Sequence, residues 1–595
     1  MEVLKIFIII FIIIFILIIL ANIFNYKRKI FIKTTNADII IIGLGTAGSI
    51  ITRRLHDNFP NLKIIVLEYG QDNRNNPIVY NIANAATAAF NKPYSQVLKS
   101  DNQNILISTA TLYGGGSSHN YGLVVHGSPF FYNQLGKSMN LTYENFINYF
   151  KIIESYTGRS ENKNIRGING KLQVYQLPIK LNITNKILPL AKFSLSKGIQ
   201  NGLNIIKKSI YTFKNSGPLR ASNNFSNNMV KAISELKFVP IVEDYNINII
   251  TCASTSPQLF IDPITGLRSS TDVSYLPNNY INMNNIGLGS SKNGNLSLIP
   301  NAKVNKINKE SVEWINEIGQ KKVTNLSKNG RIILCAGAIY SPFLLKKSGF
   351  NNPQIGSSLT THYGCTMILS VEIEETEDFN FSSGPLAFIP RKTGNKREWQ
   401  IICGGAGLLN KSLLSKIGIN SDEELKKNPK LRYFVFLLWN LNPRTRGQIL
   451  FESDNELPIV KLNLFKDGDL NDPNSDLANI IDGMRFMYEL VLKLKISYPT
   501  LNSVYPPMNI LKNNDKFELN KFVQNGISLT DHYSCTCSFS KVVNAKDFSL
   551  IDFPNIHIVD ASVFPIISDG NTEFPVCVLA EVGSERIIQT IKKKS

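Results

Sequence analysis

Residues Ala37 to Leu55 read A-D-I-I-I-I-G-L-G-T-A-G-S-I-I-T-R-R-L. Ala37 to Ile42 is a short apolar run, which predicts a buried strand. It passes directly into Gly43-Leu44-Gly45-Thr46-Ala47-Gly48, and Ile50, Ile51 and Leu55 then repeat at helical spacing. A second apolar run, Lys63 to Leu67, ends at Glu68, twenty residues after Gly48. Strand, glycine turn, helix, strand and acid are the parts of a dinucleotide-binding βαβ unit. Gly43 permits the tight turn, Gly45 lets the backbone approach a pyrophosphate, and Gly48 lets helix and strand pack closely. Thr46, Ala47 and Gly48 open the helix, where unpaired N–H groups and the positive dipole end face phosphate. Glu68 is placed to accept hydrogen bonds from an adenosine ribose. These glycines alone do not separate FAD from NAD.

The rest of the chain sets the frame. Its 595 residues predict two or three domains. With 43% hydrophobic and 18% charged residues it is neither a disordered chain nor a multi-span membrane protein. Seven cysteines without regular spacing exclude a disulfide-stapled scaffold. The net charge of +19 permits anionic partners without identifying one. No interleaved aromatic pattern supports nucleic acid binding, so no nucleic acid partner is expected. Ile6 to Ala21 is apolar without a break, and its extension to Tyr26 gives about 21 residues, long enough to span a bilayer core as a helix. No small-residue cleavage site follows it, which predicts an uncleaved N-terminal transmembrane helix. Lys5 precedes this stretch, whereas Lys27, Arg28, Lys29 and Lys33 follow it, so the positive-inside rule places the catalytic part in the cytosol.

Five further motifs lie downstream: Tyr113 to Gly127 (YGGGSSHNYGLVVHG), Gly337 to Gly349 (GAIYSPFLLKKSG), Ile355 to His362 (IGSSLTTH), and a C-terminal pair. The pair is Asp531 to Cys537 (DHYSCTC) and Val559 to Pro575 (VDASVFPIISDGNTEFP). In this order and at these distances, from about Asp38 to the C-terminus, the chain resembles the glucose–methanol–choline (GMC) family of FAD-dependent oxidoreductases. The resemblance implies an α/β chain, α+β overall. It would have a Rossmann-like FAD-binding domain built from discontinuous segments and an antiparallel-sheet substrate domain. The expected division is a membrane anchor and basic linker at 1–35, the FAD domain at 36–185, 235–357 and 541–595, and the substrate domain at 186–234 and 358–540. Local patterns agree: Arg432 to Trp439, Gln448 to Glu452 and Ile459 to Leu464 read as strands, and Asp476 to Leu494 as an amphipathic helix.

The resemblance also implies a cofactor cradle. Gly114, Gly115, Gly116 and Ser117 would run beside the pyrophosphate and the isoalloxazine ring. Asn120 matches a family Asn or His close to the flavin. His119 stands where most members carry an aliphatic residue. The variant is similar to that of choline oxidase, which implies a covalent FAD through His119; the alternative is a histidine that only packs or hydrogen-bonds. Asp560 matches a residue that meets the ribityl or phosphate region through its backbone. Asn571, Thr572 and Pro575 match the segment at the flavin pyrimidine end, and Val304 matches the residue whose backbone meets the adenine.

For catalysis, His532 matches the family's active-site histidine, a general base for the substrate hydroxyl. Its ordinary pKa of about 6.5 suits that task. Asn571 matches the second position, which holds His or Asn, and would hydrogen-bond the substrate oxygen. Four departures accompany these matches: Tyr533 replaces a small residue or Pro, Cys535 a Gly, and Thr361 an Asp, and Glu573 with Phe574 enters the Asn-Thr-x-x-Pro segment. A carboxylate at Glu573 would disfavour an anionic reduced flavin beside it. Cys535 and Cys537, two residues apart, would share one face of a strand, and no further ligands accompany them, so no metal site is expected. His56 reads as a surface residue after the first helix, His126 as structural, and Lys592 to Lys594 as a solvated tail. The expected function is oxidation of a primary or secondary alcohol to a carbonyl, with electrons passing to O2 or another acceptor. A non-redox lyase of the hydroxynitrile type and a catalytically inactive protein keeping the fold are the alternatives.

Overall fold

In the computed structural model of the protein, strand β1 (Lys33–Ile42) runs through the middle of a nine-stranded sheet. The structure describes residues 33–74, 76–100, 105–176, 224–283, 287–288, 295–373, 384–392, 394–404, 414–415, 417–453, 456–467, 472–512 and 516–593. The expected membrane anchor and most of 186–234 lie outside the described residues. Among the described residues no helix is long and apolar enough to cross a membrane.

Ile39 to Ile42 are at most 2% exposed, as a strand covered on both faces must be. The chain turns at Gly43 into helix α1 (Thr46–Asn58) and returns as β2 (Ile64–Leu67), parallel to β1. On the other side of β1 lies β3 (Lys321–Leu334), also parallel. The N-terminal half of β3 carries the antiparallel strands Ser311–Ile315 and Lys303–Ile307, and its C-terminal half pairs in parallel with Phe553–Ile558. Helix α2 (Gly337–Lys347) follows β3 directly.

The second large sheet is antiparallel. Its centre is β4 (Tyr363–Glu372), which pairs residue for residue with β5 (Leu431–Asn440) from Tyr363–Asn440 to Glu372–Leu431. Trp399–Gly404, Leu386–Ile389 and Cys252–Ser254 continue the sheet beyond β5. Asn502–Tyr505 and Ile527–Leu529 both pair with β4. Cys252–Ser254 comes from a segment assigned in the sequence to the FAD part, yet it forms an edge of this sheet. Helix α3 (Asp476–Lys495) packs on β5, with Leu438 against Gly483. The last helix, α4 (Glu573–Lys592), lies on α1, where Glu581 accepts both Nε and Nη2 of Arg54 at 2.7 and 2.8 Å. His56 is not a surface residue: it lies within α1, 6% exposed, with Nδ1 paired to the Tyr280 hydroxyl, because the helix continues to Asn58. Cys535 and Cys537 do not share a strand, because Cys535 takes a left-handed φ of +73° and the chain turns there. All seven cysteines are buried free thiols.

The glycines of the first turn have separable tasks. A Cβ on Gly48 would stand 2.1 Å from the Gly43 carbonyl oxygen, whereas one on Gly45 would meet only the Gly115 Cα, at 3.6 Å. Gly48→Ala is therefore expected to lower unfolding stability by about 1–3 kcal/mol through overpacking. Gly45→Ala should leave the melting temperature of the flavin-free protein unchanged and lower the flavin bound after purification. Thermal melts and the visible spectrum of both variants check this.

Candidate active site

The C-terminal ends of β1 and β2 open onto the glycine turn. Gly45 caps α1, and the first amide bonded back within that region is Ser49 N–H, which donates to the Gly45 carbonyl at 3.0 Å. The N–H groups of Thr46, Ala47 and Gly48 lie in the first turn, where a helix has no acceptor of its own to offer. Glu68 is buried, and its two carboxylate oxygens accept the amides of Leu44 (2.6 Å) and Gly70 (2.7 Å). Its first physical task is thus to hold the glycine turn, and a ribose contact would share the carboxylate with these amides. Burial pushes its pKa up, against the pull of those N–H groups.

A second bare-backbone loop faces the first. Gly114 and Gly115 take φ of +81° and +54°. A Cβ on Gly115 would reach 2.7 Å from the Gly45 Cα, whereas one on Gly116 would find no atom within 4 Å. The Ser117 hydroxyl donates to the Gly114 carbonyl at 2.7 Å and accepts the Thr271 amide at 3.1 Å, which fixes the loop. The Asp560 carboxylate accepts Gly337 N–H (3.0 Å), the Ser341 hydroxyl (2.6 Å) and Ser562 N–H (2.8 Å), so it joins the C-terminal segment to the start of α2. Only its backbone is left for a ligand. Val304 is buried on Lys303–Ile307, opposite Trp314.

Past the glycine loop, His119 is buried, and the Gly116 backbone is the one group near enough to bond its ring among the described residues. Burial, with the nearby Arg268 charge, pushes its pKa down to about 4, so the ring is neutral near pH 7. Asn120 sits between two opposite charges. Its Nδ2 donates to Glu573 Oε2, and its Oδ1 and backbone carbonyl accept Arg268 Nη1 and Nη2 at 2.8 and 2.7 Å. Arg268 is 3% exposed and also donates to the Ser117 carbonyl. Glu573 is the first residue of α4, where the helix dipole favours an anion, yet burial raises its pKa to about 7 against the opposing pull of Asn120 and Arg268. Its Oε1 is buried without a partner. Thr572 caps the helix, and Pro575 occupies the first turn, where its missing N–H costs nothing. Phe574 stacks on His126 with ring centroids 3.9 Å apart. His126 is held in turn by Glu154 at 3.0 Å.

The expected catalytic pair is brought together by backbone pairing. Thr360 and Ser534 exchange amide–carbonyl bonds at 3.2 and 2.9 Å, and Thr530 donates both N–H and hydroxyl to the His362 carbonyl. The Thr361 hydroxyl accepts the His532 amide at 3.1 Å. His532 and Asn571, thirty-nine residues apart in sequence, meet with Nε2 and Nδ2 3.5 Å apart. Gln400, on Trp399–Gly404, donates Nε2 to Asn571 Oδ1 at 3.1 Å and so turns the Asn571 amide nitrogen toward His532. On its other side, His532 Nδ1 lies 2.9 Å from His362 Nδ1, and His362 Nε2 lies 2.9 Å from the Ser568 carbonyl. Burial and the neighbouring imidazole push the His532 pKa well below 6.5, and burial pushes that of His362 to about 4. Tyr533 donates its hydroxyl to Asp531 at 2.7 Å, and burial raises Asp531 to about 6.

Arg268, Gln400, His362 and Ser568 were not singled out from the sequence. Arg268 and Gln400 lie 148 and 171 residues from the side chains they hold, in stretches without a motif. His362 closes a motif that was read, and a second imidazole beside a candidate base was the available signal. Among the described residues no cluster of three His, Cys, Asp or Glu is arranged to hold a metal ion. A cavity of about 730 Å³ bounded by Met139, Lys546, Asp552 and Arg586 contains none of the expected site residues.

The cradle fits FAD on its own terms: two bare-backbone loops, a helix N-terminus for the pyrophosphate, and a buried neutral imidazole beyond them. Comparison with known proteins agrees. The N-terminal GMC oxidoreductase model matches residues 37–364 and the C-terminal one residues 443–580. A protein of Acanthamoeba polyphaga mimivirus named a GMC-type oxidoreductase is 24% identical over 396 residues, 60% of this chain and 52% of that protein. Alcohol oxidase 2 of Komagataella phaffii is 26% identical over 336 residues, 53% of this chain and 42% of the enzyme. The chain thus spans about half the length of these curated relatives. Pyranose dehydrogenase 3 of Leucoagaricus meleagris is 22% identical, with 93% of each chain aligned. In fold, pyridoxine 4-oxidase from Mesorbium loti superposes with a TM-score of 0.69 at 17% identity, covering 92% of this chain and 99% of that one. A variant of the Aspergillus oryzae formate oxidase gives 0.71 at 16% identity, covering 94% and 100%. The chain belongs to the GMC oxidoreductase family, and FAD is the cofactor its cradle is built to hold.

Proposed function

We propose that the protein is an FAD-dependent oxidoreductase that converts an alcohol to its carbonyl compound. The observation that carries this reading is the meeting of His532 Nε2 and the Asn571 amide at the end of the cradle. A depressed pKa leaves His532 unprotonated near pH 7, so Nε2 is free to take the substrate's hydroxyl proton. Asn571, its amide oriented by Gln400, donates to the substrate oxygen. FAD, when bound, supplies the acceptor for the hydride that leaves the carbinol carbon with its electron pair. Electrons then pass to O2, giving hydrogen peroxide, or to another acceptor. In the same reading His119, buried and neutral, is the point of covalent attachment for FAD. Residues 1–35 serve as a single-pass anchor that leaves the catalytic part in the cytosol, and the segments 36–185, 235–357 and 541–595 form the FAD domain with the remainder over the substrate. A lyase and an idle fold keep the flavin but transfer no electrons to it from an alcohol.

The purified protein should show a flavin band that bleaches anaerobically with at least one of methanol, benzyl alcohol, choline and glucose. A band that none of these bleaches would count against alcohol oxidation. His532→Ala should keep its flavin and lose at least about 10²-fold in reduction rate, the usual share of a general base. The wild-type rate should hold steady as pH falls through 6.5, because a lowered base pKa moves the acid limb downward. After acid precipitation the flavin should stay with the protein, and His119→Ala should release it to the supernatant.

Glu573 gives a stability prediction. Its folded pKa of about 7 stands above its ordinary 4.5, so its contribution is fully present below about pH 4.5 and is lost as pH rises through 7. Glu573→Gln should melt higher than wild type at pH 8, by about 1–3 kcal/mol of stability, with the difference vanishing near pH 4.5. Melting temperatures between pH 4.5 and 8 decide it.

A further inference from the structure

Beside the candidate base stands an imidazole whose surroundings fix where its protons sit. His362 is 0% exposed, and its Nε2 faces the backbone carbonyl of Ser568 at 2.9 Å. A carbonyl oxygen only accepts, so His362 Nε2 carries a hydrogen and donates it. Among the described residues no carboxylate pairs with this ring, and a second proton would bury an uncompensated charge, which is costly. His362 Nδ1 is therefore a lone pair. It points at His532 Nδ1, 2.9 Å away. Two lone pairs opposed at that distance would repel and leave two acceptors unsatisfied. The contact is a hydrogen bond only if His532 Nδ1 carries the hydrogen.

We propose that His362 is a positioning residue that holds His532 in the tautomer with its proton on Nδ1, so that the Nε2 lone pair faces Asn571 and the substrate hydroxyl. The inference deepens the reading of His532 as the base and rests on it for its functional meaning. The donor chain runs one way: His532 Nδ1–H to His362 Nδ1, then His362 Nε2–H to the Ser568 carbonyl. Every link is anchored by backbone. Thr530 holds the His362 carbonyl, Thr361 holds the His532 amide, and the two rings stand at 88° to each other. When the substrate O–H bond breaks, its proton forms the Nε2–H bond of His532. The resulting imidazolium keeps its Nδ1–H on a neutral acceptor, a charge-assisted bond that strengthens as the charge develops. No proton needs to cross to His362.

The test uses the flavin-loaded protein with 15N-labelled histidine. The sequence holds six histidines, so each ring is assignable by single substitution. Long-range 1H–15N spectra should show His532 with Nδ1 protonated and Nε2 unprotonated. His362→Asn, whose amide oxygen can stand in for the Nδ1 acceptor, should keep that tautomer. His362→Phe, which fills the volume without an acceptor, should mix the two tautomers while retaining flavin. The reduction rate with the fastest alcohol of the panel should fall by roughly 10- to 100-fold in His362→Phe. It should recover most of that loss in His362→Asn. A wild-type His532 protonated on Nε2, or a phenylalanine variant with the wild-type tautomer, would overturn the proposal. If the tautomer is as stated while His532→Ala still reduces normally, the base assignment fails and the positioning stands.

Discussion

The bridge between Thr360 and Ser534 is the contact on which the site depends. Two amide–carbonyl bonds join strands from distant parts of the chain just before β4 begins. They set His362 and His532 side by side on neighbouring segments, and β4 then pairs with Ile527–Leu529. The third component arrives from the other sheet. Phe553–Ile558, paired in parallel with β3, delivers Asp560, whose carboxylate is tied to α2, and the chain then runs through Ser568 and Asn571 into α4. The Ser568 carbonyl and the Asn571 amide therefore reach the two histidines as parts of a backbone fixed elsewhere. The two sheets whose ends build the site share one hydrophobic core, in which Ile39 to Ile42 of the first join Tyr363, Phe434 and Trp399 of the second.

Charge placement follows the same division. At the flavin-facing end the buried charges are neutralised pairwise: Arg268 and Glu573 grip opposite sides of Asn120. At the histidine end, among the described residues, neither imidazole is hydrogen-bonded to a carboxylate. Burial there pushes both ring pKa values down and keeps them neutral. One end of the site is thus charged but balanced, and the other is polar but neutral. Under the proposed reaction, that contrast leaves the proton acceptor uncharged at the start.

The first βαβ unit was legible in the sequence to within a few residues, because an apolar run bounded by glycines has few alternative folds. β5 and α3 were legible from a β-rich apolar run and a helical repeat, with Arg432 to Trp439 and Asp476 to Leu494 each one residue or so short of the observed element. Strand pairing was not legible. Nothing in Cys252–Ser254 announces that it closes an edge more than a hundred residues from its partner strand, since a three-residue strand carries almost no pattern. His56 shows the converse error: a helix end was placed too early, and a buried side chain was assigned to the surface. Residues that hold a catalytic group through one long-range hydrogen bond, such as Gln400 and Arg268, leave no periodic trace at all. Motifs mark the groups that touch the ligand, and three-dimensional pairing supplies the groups that orient them.

The departures from the family pattern each have a partner in this structure, which argues against a decayed site. Phe574 has His126 to stack on, and His126 has Glu154 to hold it. Tyr533 satisfies its hydroxyl on Asp531. Glu573 brings a charge and meets Arg268 through Asn120. Thr361 is the most telling. A carboxylate there would stand against the His532 amide, next to both imidazoles, and an anion at that distance would favour protonating one of them. A threonine hydroxyl makes the same bond to the amide without the charge. The exchange keeps the histidine pair neutral, and a neutral pair is the condition under which His362 accepts from His532 and leaves Nε2 open. Cys535 is the departure with a cost left over, since it keeps a glycine's left-handed φ with a side chain attached. Its thiol is 3% exposed, so the burial of that sulfur is what offsets the strained backbone.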